Sequence, residues 1–115
     1  MWLVTTIGFF SIVQKAWDRE ADTLTVRARA LGDLEGFKQS YCPTLGEIVE
    51  DADADYRFRA QAPRAAVVAA VGRLAAGIDY QNFKSAVAKR QGPERAHVYG
   101  AVWEDLLAIQ RESRS

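Results

Sequence analysis

Between Thr23 and Ala30 the chain alternates: Leu24, Val26 and Ala28 fall on one side, and Thr23, Thr25, Arg27 and Arg29 on the other. Successive side chains of an extended strand point to opposite faces, so this pattern predicts a half-buried strand. The stretch YRFRAQ, Tyr56 to Gln61, alternates the same way, with Tyr56, Phe58 and Ala60 opposing Arg57, Arg59 and Gln61. Its predicted partner is EIVE, Glu47 to Glu50, joined to it through the acidic turn DADAD as a hairpin. The chain start, Trp2 to Lys15, is rich in β-branched and aromatic residues and is interrupted by Gly8. It predicts two short strands, or one strand bent at the glycine. DREAD, Asp18 to Asp22, reads as a polar turn.

Helical spacing appears in two places. Leu34, Phe37 and Tyr41 predict a short helix near residues 33–41, capped by Asp33 and stopped by Pro43. From Pro63 onward the chain reads as helical over 63–112. Pro63 suits a first helical position, Val67, Val71, Leu74 and Ile78 line one face, and Asp79 reads as the cap of a helix carrying Tyr80, Phe83 and Val87. Pro93 opens the last helix, with Tyr99, Val102, Trp103, Leu106 and Ile109 as a wide apolar stripe. Strands, a helix, more strands and then helices predict a single α+β domain over 1–115, strand-rich through 61. The expected architecture is an antiparallel sheet covered on one face by helices, in a ferredoxin-like order with additional C-terminal helices.

Composition narrows the partners. Fifteen basic and fifteen acidic residues balance to a formal net charge of zero in 115 residues. Domains that coat nucleic acid by bulk charge are strongly basic, so any anion site here is local. The one cysteine, Cys42, has no intramolecular partner and fits a reduced, cytoplasmic setting. The apolar start is broken by Thr5, Thr6, Gly8 and Ser11 and is too short to span a bilayer, so no membrane association is expected.

The candidate chemistry is the repeated arginine pair. If the strands TVRARA and YRFRAQ are neighbours in register, Arg27, Arg29, Arg57 and Arg59 converge on one outward face, with Thr25 and Gln61 beside them and Phe9 as a stacking surface. A guanidinium presents a planar fork of donors that matches phosphate, so the face suits a phosphate-bearing ligand or nucleic acid. Arginine stems also cover apolar surface and pair with carboxylates, which is the structural alternative. A second basic group, Lys84, Arg90, Arg95 and His97, lies around the corner near Gly92 and Pro93, where core packing explains the interleaved aromatics more simply. Asp51, Asp53 and Asp55 imitate the opening of a calcium loop, but Tyr56 and Ala62 occupy its glycine and bidentate glutamate positions, so no metal is expected. One histidine forms no cluster, and no nucleophile elbow, Walker or dinucleotide glycine pattern is present, so no cofactor is called for and no catalytic residue is assigned.

The segments GFFSIVQK, TVRARA, ADYRFRA, IDYQNFK and RAHVYGAVW together resemble a family of small uncharacterised bacterial proteins, over nearly the whole chain. The resemblance implies a stand-alone cytoplasmic domain and no established activity. Two roles follow from the residues themselves. One is a non-enzymatic binding domain using the arginine face; the other is a protein-interaction or homo-oligomeric module using a sheet edge or the last helix. A small enzyme acting on a phosphorylated metabolite is the third, and it requires a pocket.

Overall fold

A computed structural model describes residues 1–112, which fall into two compact units, Met1–Asp79 and a second beginning at Tyr80. In the first unit β1 (Trp2–Thr5) and β2 (Gly8–Val13) form a hairpin, followed by a one-turn helix α1 (Asp18–Ala21) and β3 (Thr23–Ala28). Then come α2 (Leu31–Ser40), a two-residue β4 (Val49–Glu50), β5 (Phe58–Pro63) and α3 (Arg64–Ala76). The second unit holds α4 (Phe83–Gln91) and α5 (Pro93–Glu112).

The α+β class expected from the alternation is observed: five antiparallel strands in the order β1-β2-β3-β5-β4. The order is ferredoxin-like in one half only. Strand β5 inserts between β3 and β4, which are linked by α2, making one split βαβ unit. On the other side β1, β2 and β3 simply meander, because the two residues between β1 and β2 leave no room for a crossover helix.

Local chemistry explains the connections. Thr5 Oγ1 accepts from the backbone N–H of Ile7 and Gly8 and donates to the Gly8 carbonyl, closing the hairpin. Gly8 has φ of 155°, and a Cβ there would lie 2.5 Å from Asp33 Cγ, so only glycine fits. Asp33 is not the helix cap the sequence suggests. Helix α2 begins two residues earlier, and the Asp33 carboxylate accepts from Phe9 N–H at 3.0 Å, tying α2 to β2. DREAD is likewise helical rather than a plain turn, ending at Asp22 in the left-handed region (φ 52°, ψ 47°).

One sheet face carries the core. Phe10, Ile12, Val26, Ala28, Ala60 and Ala62 pack against Leu34 and Phe37 of α2 and Val67 and Ala70 of α3. The Phe10 and Phe37 rings meet edge to face at 5.1 Å. Each such side chain contributes about 2–3 kcal/mol by leaving water. Pro63 ends β5 instead of opening α3, and Ile78 stays exposed.

In the second unit Asn82, not Asp79, caps α4: its side chain accepts from Ser85 N–H at 2.9 Å. Phe83 stacks on Tyr99 at 6.0 Å, and Val87 and Tyr99 are buried. The predicted α5 stripe is present, but Trp103, Leu106 and Ile109 face solvent. Among the described residues no helix is long and apolar enough to cross a membrane.

Candidate anion-binding site

The sheet face opposite the core is organised in transverse rows. The central row runs Trp2, Ser11, Arg27, Arg59, Val49 through β1, β2, β3, β5 and β4, each residue directly opposite the next. Strands β3 and β5 are therefore neighbours, and their register places Arg27 against Arg59 and Thr25 against Gln61. Directly opposed cross-strand side chains start about 5 Å apart, and like charges there repel.

Both guanidinium groups are half-buried. Arg27 donates from Nη2 to Ser11 Oγ at 2.6 Å, and its guanidinium stacks over the Tyr56 ring at 4.4 Å. Arg59 donates from Nη2 to the Tyr56 carbonyl at 3.1 Å. Each keeps a buried Nε that no acceptor of the described residues reaches. Buried donors are almost always bonded, because leaving one unpaired costs about 1–3 kcal/mol. The exposed ion pairs Arg57 with Glu50 and Arg64 with Asp22 involve neither residue.

Tyr56 is where the structure departs most from the alternation. Its parity with Phe58 predicts a core position, yet the chain joins the sheet only at Phe58. Tyr56 instead folds over the outer face, buried against Phe9 at 6.2 Å and between the guanidinium groups of Arg27 and Arg29. Arg29 also donates from Nε to the Asp55 carbonyl at 3.2 Å. The cation–π contacts hold the 51–57 loop, each contributing on the order of 1 kcal/mol.

The other end of this face belongs to Asp18. Its carboxylate is fully buried and accepts from Thr23 Oγ1 at 2.5 Å, Thr25 Oγ1 at 2.8 Å, Gln61 Nε2 at 2.9 Å and Lys15 N–H at 2.8 Å. Burial pushes this carboxyl up, but the bonds from Thr23, Lys15, Gln61 and Thr25 outweigh it and hold it below its ordinary value. Trp17 Nε1 donates to Thr25 Oγ1 at 3.3 Å, closing that end.

Of the four arginines expected on this face, Arg27 and Arg59 are directly opposed in register, Arg27 and Arg29 both lie against the Tyr56 ring, and Arg57 stands apart. Arg57 precedes the strand, is exposed and pairs with Glu50 at 2.6 Å. The secondary basic group is dispersed on its own unit: Lys84 lies over Trp103 at 5.4 Å, Arg95 donates to Tyr99 at 3.3 Å, and Arg90 and His97 are exposed. The turn acids cap backbone, Asp51 accepting from Asp53 N–H and Asp55 from Tyr56 N–H. Sequence reasoning passed over Ser11, Tyr56 and Asp18. The readable signal for Asp18 was a pair of outward hydroxyls, Thr23 and Thr25, just after it.

No family model, curated protein or solved structure matches the chain. The site is therefore interpreted from its own geometry.

Proposed function

We propose that the protein is a binding domain that holds a phosphate-type oxyanion on Arg27 and Arg59. The supporting observation is that Arg27 and Arg59 are directly opposed in register on neighbouring strands, each with an unpartnered buried Nε and neither paired with a carboxylate among the described residues. Two like charges in one half-buried row repel, and an anion between them turns that repulsion into charge-assisted hydrogen bonds. Ser11 Oγ orients the Arg27 fork. Binding weakens as salt rises, because counterions compete for the same charges. The buried, free Cys42 is consistent with a reduced cytoplasmic setting for this role.

Thermal unfolding with pyrophosphate, against sodium chloride at matched ionic strength, tests the reading. At about 100 times Kd a ligand adds about 2.7 kcal/mol, which raises Tm by several degrees for a domain of this size. An R27Q/R59Q double variant loses the shift and an R57Q variant keeps it. An equal shift in the double variant, or no shift in the parent protein, overturns the assignment.

A second reading, a protein-interaction module, is favoured by one observation: Trp2, Trp17 and Trp103 are all exposed. Tryptophan is enriched at binding hot spots. Light scattering across a range of concentrations tests its homo-oligomeric form, and a constant monomer mass removes that form.

A further inference from the structure

Resting on the protein-interaction reading, we infer that the partner is a second copy of this chain, docked on the apolar side of α5 so that two α4–α5 pairs enclose one four-helix core. Three observations carry it.

The first is how little the second unit encloses by itself. Helix α4 has 9 residues and α5 has 20, about 14 and 30 Å at 1.5 Å per residue. Joined only through Gly92, they pair as far as Lys84, which lies over Trp103, so the rest of α5 runs past the start of α4. Val87 and Tyr99 are the buried side chains of the pair, and from Ala101 to Glu112 every residue except the half-buried Leu107 is exposed. Helices in proteins draw most of their stability from packing an apolar face, and this pair leaves most of that packing unmade.

The second is the stripe itself. Val98, Val102, Leu106 and Ile109 follow one another at intervals of 4, 4 and 3 residues, which lines them up on one side of the helix, with Trp103 beside Leu106. These five residues are 36–58% exposed. Together they present on the order of 500 Å² of side chain, the upper range for an apolar patch on a monomer and a size that marks interaction sites. Pairing the stripe with itself buries about 1,000 Å², where specific interfaces begin.

The third is what the stripe fits. The described residues of this unit hold five bases and four acids, so a strongly charged partner is not selected and a second copy is not repelled. In Met1–Asp79 the core face of the sheet is already covered by α2 and α3. Its exposed large apolar residues are scattered over different elements, Trp2 on β1, Leu31 on α2, Val49 on β4 and Val68 on α3, which is ordinary surface. Among the described residues α5 alone offers a continuous stripe, and the same stripe on both partners is what a two-fold pair requires. Two helix pairs closing on one core is the arrangement of a four-helix bundle.

Sedimentation equilibrium of the full chain tests this, from about 1 to 300 µM because an interface near this lower size limit binds weakly. The mass is expected to rise from that of one chain to that of two. L106E, which puts a charge into the stripe, keeps the single-chain mass throughout, and W103A weakens the pair about tenfold. A108E carries the same charge on the other side of α5 and dimerises like the parent protein. Circular dichroism checks that the helices of L106E are intact, and L106Q decides in its place where they are not. A dimer that persists in L106E, L106Q and W103A, or one that A108E disrupts equally, overturns the α5 assignment and leaves the homo-oligomeric reading standing on another surface. A single-chain mass at every concentration, as when the stripe is covered within one chain or by an unrelated protein, overturns both.

Discussion

The two ends of the outer sheet face treat buried charge in opposite ways. At one end Asp18 is sealed from water, and Thr23, Thr25, Gln61 and the Lys15 backbone supply its donors. At the other end Arg27 and Arg59 stand opposite each other, with a buried Nε on each left unbonded. A charge enclosed by complementary groups of the same chain serves the fold. A charge that the fold leaves uncompensated lowers stability on its own and is the kind of feature kept for a ligand.

The largest effect that would sharpen this contrast is at Asp18. D18A strands several buried donors and is expected to lose about 3 kcal/mol in urea unfolding, while the remaining folded protein keeps its pyrophosphate response. A loss below about 1 kcal/mol would mean that the carboxylate is not what anchors α1 to the sheet. The same residue sets a pH dependence. Its carboxyl lies below its ordinary value when folded, so its contribution is fully present above the unfolded-state value of about 3.9 and is lost as pH falls through the lower folded value. D18N removes this acid-side step, measured as the urea midpoint across that range.

Tyr56 comes next. Y56A removes a buried ring held between two guanidinium groups and is expected to cost about 2 kcal/mol, with the 51–57 loop becoming protease-sensitive. Replacing Arg27 and Arg59 together by glutamine is expected to change stability by no more than about 1 kcal/mol in either direction, because lost packing is offset by relief of like-charge repulsion. A large destabilisation there would turn the arginines into fold-holding residues like Asp18 and erase the contrast. The smallest effect is at the exposed Arg57–Glu50 pair, where E50Q is expected to change stability by less than about 0.5 kcal/mol.

The fold was largely legible where one face of an element is buried. Alternation over Thr23 to Ala28 placed Val26 and Ala28 in the core and Thr25 and Arg27 outside it, as observed. The register of β3 against β5 was not legible, since it depends on where the chain re-enters the sheet after the 51–57 loop. Tyr56 shows why: strand parity assigns it inward, but the strand begins two residues later, and on the outer face Arg27 and Arg29 hold its ring while Arg59 bonds its carbonyl. The helix caps failed for a related reason. Asp33 and Asp79 have the right side chain for a cap, yet Asp33 is drawn to Phe9 N–H and Asn82 stands closer to the start of α4. Local propensity nominates a cap, and tertiary hydrogen bonds decide among the candidates.

The insertion of β5 between β3 and β4 also bears on how the site comes into being. Strands β1, β2 and β3 pair with sequence neighbours, whereas Arg27 meets Arg59 only after a loop of about 30 residues has closed, which carries a larger entropic cost. High sequence separation places this pairing among the slow contacts of folding. The two arginines are thus strangers in the unfolded chain, and an anion that needed both, as proposed above, would bind only molecules in which that long-range closure is complete.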